Sequence, residues 1–252
     1  MLSDPAFLAL ALPGAALAGF SKGGFGSGAA FVATALIALV VPPGAALGVM
    51  LPVLMLIDAA LLPAWRGRWS WPEARGLIWG AVPGTAIAAL VWRAAPDDLF
   101  RGLIGAMALG FVAWQVGRAR GWIRVRASGG PPRPLWGGLW GGVAGFTSFV
   151  SHAGGPPVAI YLLSRDLPKT TYQATSVLVF WAINAFKAVP YAFLGIFSWE
   201  TAGASLALAP AALIGAWAGV RAHALVPERA FFAFIYALLS LTGARLIWDA
   251  LT

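Results

Sequence analysis

Apolar stretches of about 17 to 25 residues, the length a helix needs to cross a hydrocarbon core, recur from one end of this 252-residue chain to the other. No polar region between them is long enough to fold by itself. In lipid the backbone must find its hydrogen bonds within the segment, so the chain reads as an all-α polytopic membrane protein. Composition agrees: 10% of the residues are charged, against about 25% in soluble domains, and the mean hydropathy is +0.81. The opening stretch "MLSDPAFLALALPG" has no basic residue ahead of its apolar run, so the first segment is expected to be retained. Cysteine is absent, which removes disulfides, thiolate metal sites and cysteine nucleophiles together.

The net charge of +8 points to a membrane surface. The arginines fall in short connections, above all "GRARGWIRVRASGGPPRP" at 117–134, and basic connections stay on the cytoplasmic side beside an anionic leaflet. No nucleic acid is expected as a partner. Trp65, Trp69, Trp71, Trp92, Trp122, Trp136 and Trp199 fall at segment ends, where indole prefers the headgroup zone.

The chain repeats itself. "AGFSKGGFGSG" at 18–28 and "AGFTSFVSHAGGPP" at 144–157 each end one apolar run and open another. Downstream, Pro63 matches Pro190, Trp71 in "WSWPEA" matches Trp199 in "FSWETA", and Pro83 matches Pro210. This divides the chain into a first transmembrane repeat (1–117), a basic cytoplasmic linker (118–134) and a second transmembrane repeat (135–252). Each half holds one broken segment, 5–41 or 135–164, and three ordinary helices, at about 44–64, 74–93 and 99–117, then 171–195, 200–220 and 229–250.

If each broken segment crosses once, the halves run parallel; if each is a re-entrant hairpin, the halves are inverted. Loop charge favours inversion. With the linker inside, inversion gathers Arg66, Arg68, Arg75, Arg118, Arg120, Arg124, Arg126, Arg133, Arg165, Lys169, Arg221 and Arg229 in the cytoplasm and leaves Arg93 and Arg101 outside. The parallel arrangement moves Arg165, Lys169, Arg221 and Arg229 outward, giving eight against six.

The breaks carry the functional signal. Residues 135–164 are too few for two full crossings, so the interruption lies deep, where irregular backbone is tolerated only inside protein or beside a watery cavity. Paired Gly/Pro interruptions at corresponding places in two halves mark a transporter's substrate site. "SKGGFGSG" supplies Ser21, Lys22 and Ser27 among glycines, with Gly23 and Gly24 allowing close backbone approach. "SHAGGPP" supplies Ser151 and His152, then Gly154, Gly155 and two prolines suited to a helix start. Each following half-helix would point its positive N-terminal end at the break, which favours an anion.

Three more intramembrane polar groups join the set: Asp58 in "LMLIDAALLP", and Asn184 and Lys187 in "FWAINAFKAVP", in corresponding helices. Ionisable groups at such depth mark function by default. Asp58 either pairs with Lys22 or Lys187 or carries a proton, and His152, whose unperturbed imidazole titrates near neutrality, is the other proton-coupling candidate. Gln173, Thr175 and Ser176 would extend a polar path along the same helix as Asn184. Plainer readings stand beside these: Lys22 snorkelling to a headgroup, His152 as a packing residue, Asp58 in a structural ion pair, and the glycines of 137–145 mediating helix contact.

At its two break motifs, and at "FSWETA", the sequence resembles the sulfite exporter TauE/SafE family of membrane permeases, over essentially the whole chain. The resemblance implies a multi-pass protein of the bacterial inner membrane that transports sulfite, sulfonates, sulfoacetate or related anions. It carries site roles only to Ser21, Lys22, Gly23, Gly24, Ser151, His152, Gly154 and Gly155. A gradient-coupled secondary carrier is the leading reading, since no phosphate-binding G-x-x-x-x-G-K-[ST] motif appears. An anion channel is the alternative, and an intramembrane enzyme the reading from another class. Adjacent Ser151 and His152 point about 100° apart on a helix, which makes a poor nucleophile and base pair. No metal site and no cofactor are expected. The expected partners are a small anionic substrate, the lipid bilayer and a coupling proton or other ion, with a homodimer left open.

Overall fold

The computed structural model describes residues 1–25, 30–124, 134–222 and 228–252. Ser27, His223, Arg126, Arg133 and most of the linker lie outside the described residues. Within them the protein is all helical: α1 (Pro5–Phe20), continued by a π-helical turn (Ser21–Phe25), α2 (Val32–Ile37), α3 (Pro43–Leu61), α4 (Trp71–Ala94), α5 (Asp97–Ala119), α6 (Pro134–Ser151), α7 (Gly155–Leu163), α8 (Lys169–Phe193), α9 (Trp199–Ala222) and α10 (Glu228–Leu251). Seven of these are long and apolar enough to cross a membrane. They are the six expected spans, with ends within about three residues, and α1 with its π turn, the long arm of the first broken segment.

Local chemistry sets many of the ends. Proline, which has no N–H to leave unsatisfied, occupies the first turn of α1, α3, α4 and α7. The Asp4 carboxylate caps α1 by accepting from the Ala6 amide at 2.9 Å. Gly195, at φ +69°, ends α8 in the left-handed conformation that glycine adopts without strain.

Helix directions follow from which residues meet. α4 and α6 run parallel: Gly76 meets Gly137, Gly80 meets Gly138 and Gly84 meets Gly142. A Cβ on Gly84 would lie 2.0 Å from the Gly142 carbonyl oxygen, so the glycine stripe lets two backbones touch. α1 and α9 repeat the arrangement, with Gly215 on Ala16 and Gly219 on Phe20. By contrast α5 and α10 are antiparallel, Gly102 lying beside Ala250 and Gly105 beside Gly243. So are α3 and α8: Gly48 abuts Ile196, and Asp58 bonds Asn184.

Both broken segments fold back on themselves. The Tyr161 hydroxyl of α7 lies against Gly137 near the start of α6, and Arg165, just beyond α7, bonds Glu73 at the start of α4. In the first segment Ala33 of α2 packs on Gly14 of α1. One end of the bundle therefore gathers Arg66, Arg68, Arg118, Arg120, Arg165, Lys169 and Arg221. The other holds Met1, whose ammonium pairs with Glu200 at 2.6 Å, the α5 start with Asp97, Asp98 and Arg101, and the Arg245–Asp249 pair.

Candidate functional site

The first break is described as far as Phe25. Ser21 to Phe25 stay helical but widen into a π turn, a distortion common at functional sites. That turn carries Lys22 into the protein interior, where only 4% of it is exposed. Its Nζ donates to Asp58 Oδ1 at 2.5 Å, and the second carboxylate oxygen accepts from Asn184 Nδ2 at 2.8 Å. Asp58 is fully buried. Three elements distant in sequence, the π turn, α3 and α8, thus converge on one carboxylate.

The second break is a true reversal. His152 sits at φ +58°, where a non-glycine residue is uncommon and points to a functional or steric requirement. Its ring is held at both nitrogens: Nδ1 lies 2.6 Å from Lys187 Nζ, and Nε2 lies 3.3 Å from the Leu47 carbonyl oxygen. Because an ammonium only donates, Nδ1 accepts, so Nε2 carries the proton and the imidazole is neutral in this arrangement. Lys187, also fully buried, donates further to the Ser148 carbonyl at 3.0 Å and the Ser148 hydroxyl at 2.9 Å. All three ammonium donors are therefore used on neutral acceptors.

Asn184 and Lys187 lie one turn apart on α8, so the two groups form a continuous buried cluster. Two ammonium groups share it with one carboxylate. A further buried ion pair among the described residues, Arg165 with Glu73 at 3.1 Å, lies at the end of the bundle and adds a short Tyr161 hydroxyl bond at 2.5 Å.

A cavity of about 920 Å³ opens toward the arginine-rich end. Its mouth includes Arg118 and Lys169, and its inner wall includes Gly23, Gly24, Gly155 and Phe180. Lys22 Nζ lies 5.9 Å from the centre of the Phe180 ring, within cation–π range. One face of α8 leads inward: Lys169, Gln173, Ser176 and Phe180 line the cavity, and Asn184 and Lys187 continue the same three-and-four spacing to the buried cluster.

A family model described as Sulfite exporter TauE/SafE matches residues 11–246, which takes in both breaks and every helix of the cluster. The chain belongs to the TauE/SafE family. It is thus a multi-pass membrane protein of a family of anion-exporting transporters. Neither the curated proteins nor the solved structures yielded a match.

Of the residues that the sequence singled out in this TauE/SafE protein, the structure brings together Lys22, Asp58, His152, Asn184 and Lys187. Ser151 points elsewhere: its hydroxyl donates to the Thr147 carbonyl at 3.1 Å and lies 2.9 Å from the Met107 sulfur. It makes no nucleophile and base pair with His152. Ser21 is buried. Gly23 and Gly24 have a packing task as well as a place on the cavity wall, since a Cβ on either would lie 2.3 or 2.4 Å from the carbonyl oxygens of Ala216 and Gly219 in α9. Gly154 is packed in the same way against Ala144 and Ser148. The half-helix dipoles contribute unequally, because α2 has only six residues whereas α7 has nine. Among the described residues His, Asp and Glu side chains do not gather in threes to hold a metal.

Two members of the site escaped the sequence reading. Ser148 stands four residues before His152, a spacing that places both on one helix face, so it could have been found. Phe180, an aromatic in an apolar run, carries no such signal.

Proposed function

We propose that this TauE/SafE protein is a secondary carrier that moves small, sulfur-containing oxyanions of the sulfite and sulfonate class across the bacterial inner membrane, coupled to an ion gradient. The observation that carries this reading is the buried cluster itself, in which two lysines, Lys22 bonded to Asp58 and Lys187 bonded only to neutral acceptors, stand with a single carboxylate behind the inner wall of an open cavity. A buried cation without an opposite charge is expensive, so such a cluster favours a transient anionic guest. The Lys22 position, carried on a π turn, suits a contact that forms and breaks.

The arginine-rich end is assigned to the cytoplasm on the positive-inside rule, which makes the described state open inward. The antiparallel contacts between corresponding helices, α3 with α8 and α5 with α10, support inverted repeats, since a two-fold axis in the membrane plane reverses each element relative to its counterpart. The hydroxyl of Ser151, turned away from His152, supports transport rather than catalysis.

The test is uptake by proteoliposomes of sulfite, sulfonates and small carboxylates, with and without a pH gradient. Saturable uptake with counterflow is expected for at least one sulfur oxyanion; flux that does not saturate and shows no counterflow identifies a channel. Orientation is checked by single-cysteine labelling, clean here because the chain has none. A cysteine at Gly195 should react from outside, and labelling only from the cytoplasm overturns the assignment.

A further inference from the structure

The deep cluster contains more than an anion seat, because the seat is already filled. Lys22 Nζ and Asn184 Nδ2 are the donors nearest the first break, and each directs an N–H at one of the two oxygens of Asp58. We propose that Asp58 is the resident counter-ion of this seat and the proton acceptor of transport. While ionised it occupies the donors that the substrate needs; when protonated it releases them, so that one proton loads with each anion. The proposal rests on the carrier reading above and names its coupling residue.

Competition for donors is the physical core. An incoming oxyanion requires N–H groups in a dry site, and an ionised carboxylate there both holds those groups and repels the newcomer. Adding a proton to either carboxylate oxygen turns Asp58 from an acceptor of charge-assisted bonds into a neutral acid that no longer balances Lys22. The freed ammonium then faces the anion, and the Asn184 amide turns its donor to whichever partner is charged. The proton enters from cavity water and returns to water when the anion leaves. No covalent bond to carbon or sulfur changes.

The groups around Asp58 leave it as the candidate. From the π turn comes Lys22, and from α8 come Asn184 and Lys187. His152 stands behind Lys187 with both ring nitrogens already engaged, at Lys187 and at the Leu47 carbonyl, so taking a proton would break its contact with a cation. The buried polar groups of α9 and α2, also packed near α3, are the hydroxyls of Thr201, Ser205 and Thr34. By linkage, proton and anion then strengthen each other's binding by the same factor.

The experiment uses the full chain in proteoliposomes containing a pH dye, with isethionate, methanesulfonate and sulfate as probes, because none of them titrates between about pH 6 and 8. In the wild-type protein, uptake of a transported probe should carry about one proton inward per anion. Asp58→Asn should lower the ratio of proton to anion flux tenfold or more. His152→Gln should leave that ratio near its wild-type value.

A ratio that survives Asp58→Asn but disappears with His152→Gln overturns the proposal while the carrier reading stands. Absence of flux and counterflow for these probes and for sulfite overturns both. If Asp58→Asn does not assemble, the wild-type protein alone decides: its affinity for the probe should rise by up to about tenfold per unit fall in pH, and an affinity independent of pH overturns the proposal.

Discussion

The two broken segments each reach the spanning helix that follows, but with different charges. In the first, Lys22 at the break reaches Asp58 on the next spanning helix, 36 residues on. In the second, Ser148 reaches Lys187, 39 residues on, and Ser148 falls at the place of Lys22 when "AGFTS" is laid on "AGFSK". The first contact joins a cation to an anion and is neutral as a unit. The second gives a cation only a hydroxyl, a carbonyl and an imidazole. The first half thus holds a cation with its counter-ion, while the second places a further cation among neutral groups; on the carrier proposal, that surplus of positive charge is what a negative guest would balance.

The comparison can be broken at either side. Removing Asp58 as Asp58→Ala strands Lys22 in the interior, where loss of one partner from a buried pair costs about 3–5 kcal/mol. The unfolding temperature in detergent should fall accordingly and recover in part when a bound anion is added, by mass action. Ser148→Ala removes one of three neutral acceptors from the Lys187 ammonium and should cost less, about 1.5–3 kcal/mol. Equal losses in the two variants would show that the halves are not electrostatically distinct.

On the binding side, Lys22→Ala should weaken anion affinity by about tenfold or more, the worth of a charge-assisted hydrogen bond of roughly 1.5–3 kcal/mol. Lys187→Gln should weaken it less, because its donors are directed at Ser148 and His152. Isothermal titration or concentration-dependent uptake separates the two.

Where the halves meet, Gly84→Ala drives a methyl into the Gly142 carbonyl and should cost about 1–3 kcal/mol. Gly138→Ala on the facing helix meets nothing within 4 Å and should be near neutral. A further loss is expected at the arginine-rich end, where Tyr161→Phe removes one bond to the Glu73 carboxylate, worth about 1.5–3 kcal/mol, and leaves the Arg165 pair in place. A loss there as large as that of Asp58→Ala would place the critical ion pair at the hairpin base instead of in the cluster.

Much of this was legible before any fold was known. The six ordinary spans appear as apolar runs of membrane length, and their ends fall where Pro and Gly punctuate the sequence. Asp58, Asn184 and Lys187 are conspicuous because charge and amide groups are rare in such runs. What their side chains touch was not legible. Lys22 suited a headgroup as well as a carboxylate, and Asp58 had two lysines to choose from. The glycines of "SKGGF" read as room for a ligand, yet Gly23 and Gly24 also admit α9. A glycine records only that something comes close.

The sequence by itself determined that the chain spans a membrane, that Gly- and Pro-rich motifs punctuate two of its apolar runs, and which polar groups go inside. Those are local properties: hydropathy over twenty residues, and backbone chemistry over five or six. Only the tertiary structure decided that the broken segments turn back, that Asp58 faces Lys22 and Asn184, and that both His152 nitrogens are taken. Each of these depends on partners 19 to 126 residues apart, and in lipid such partners are selected by which small-residue faces let helices pack closely, since apolar side chains are as well solvated by lipid as by one another.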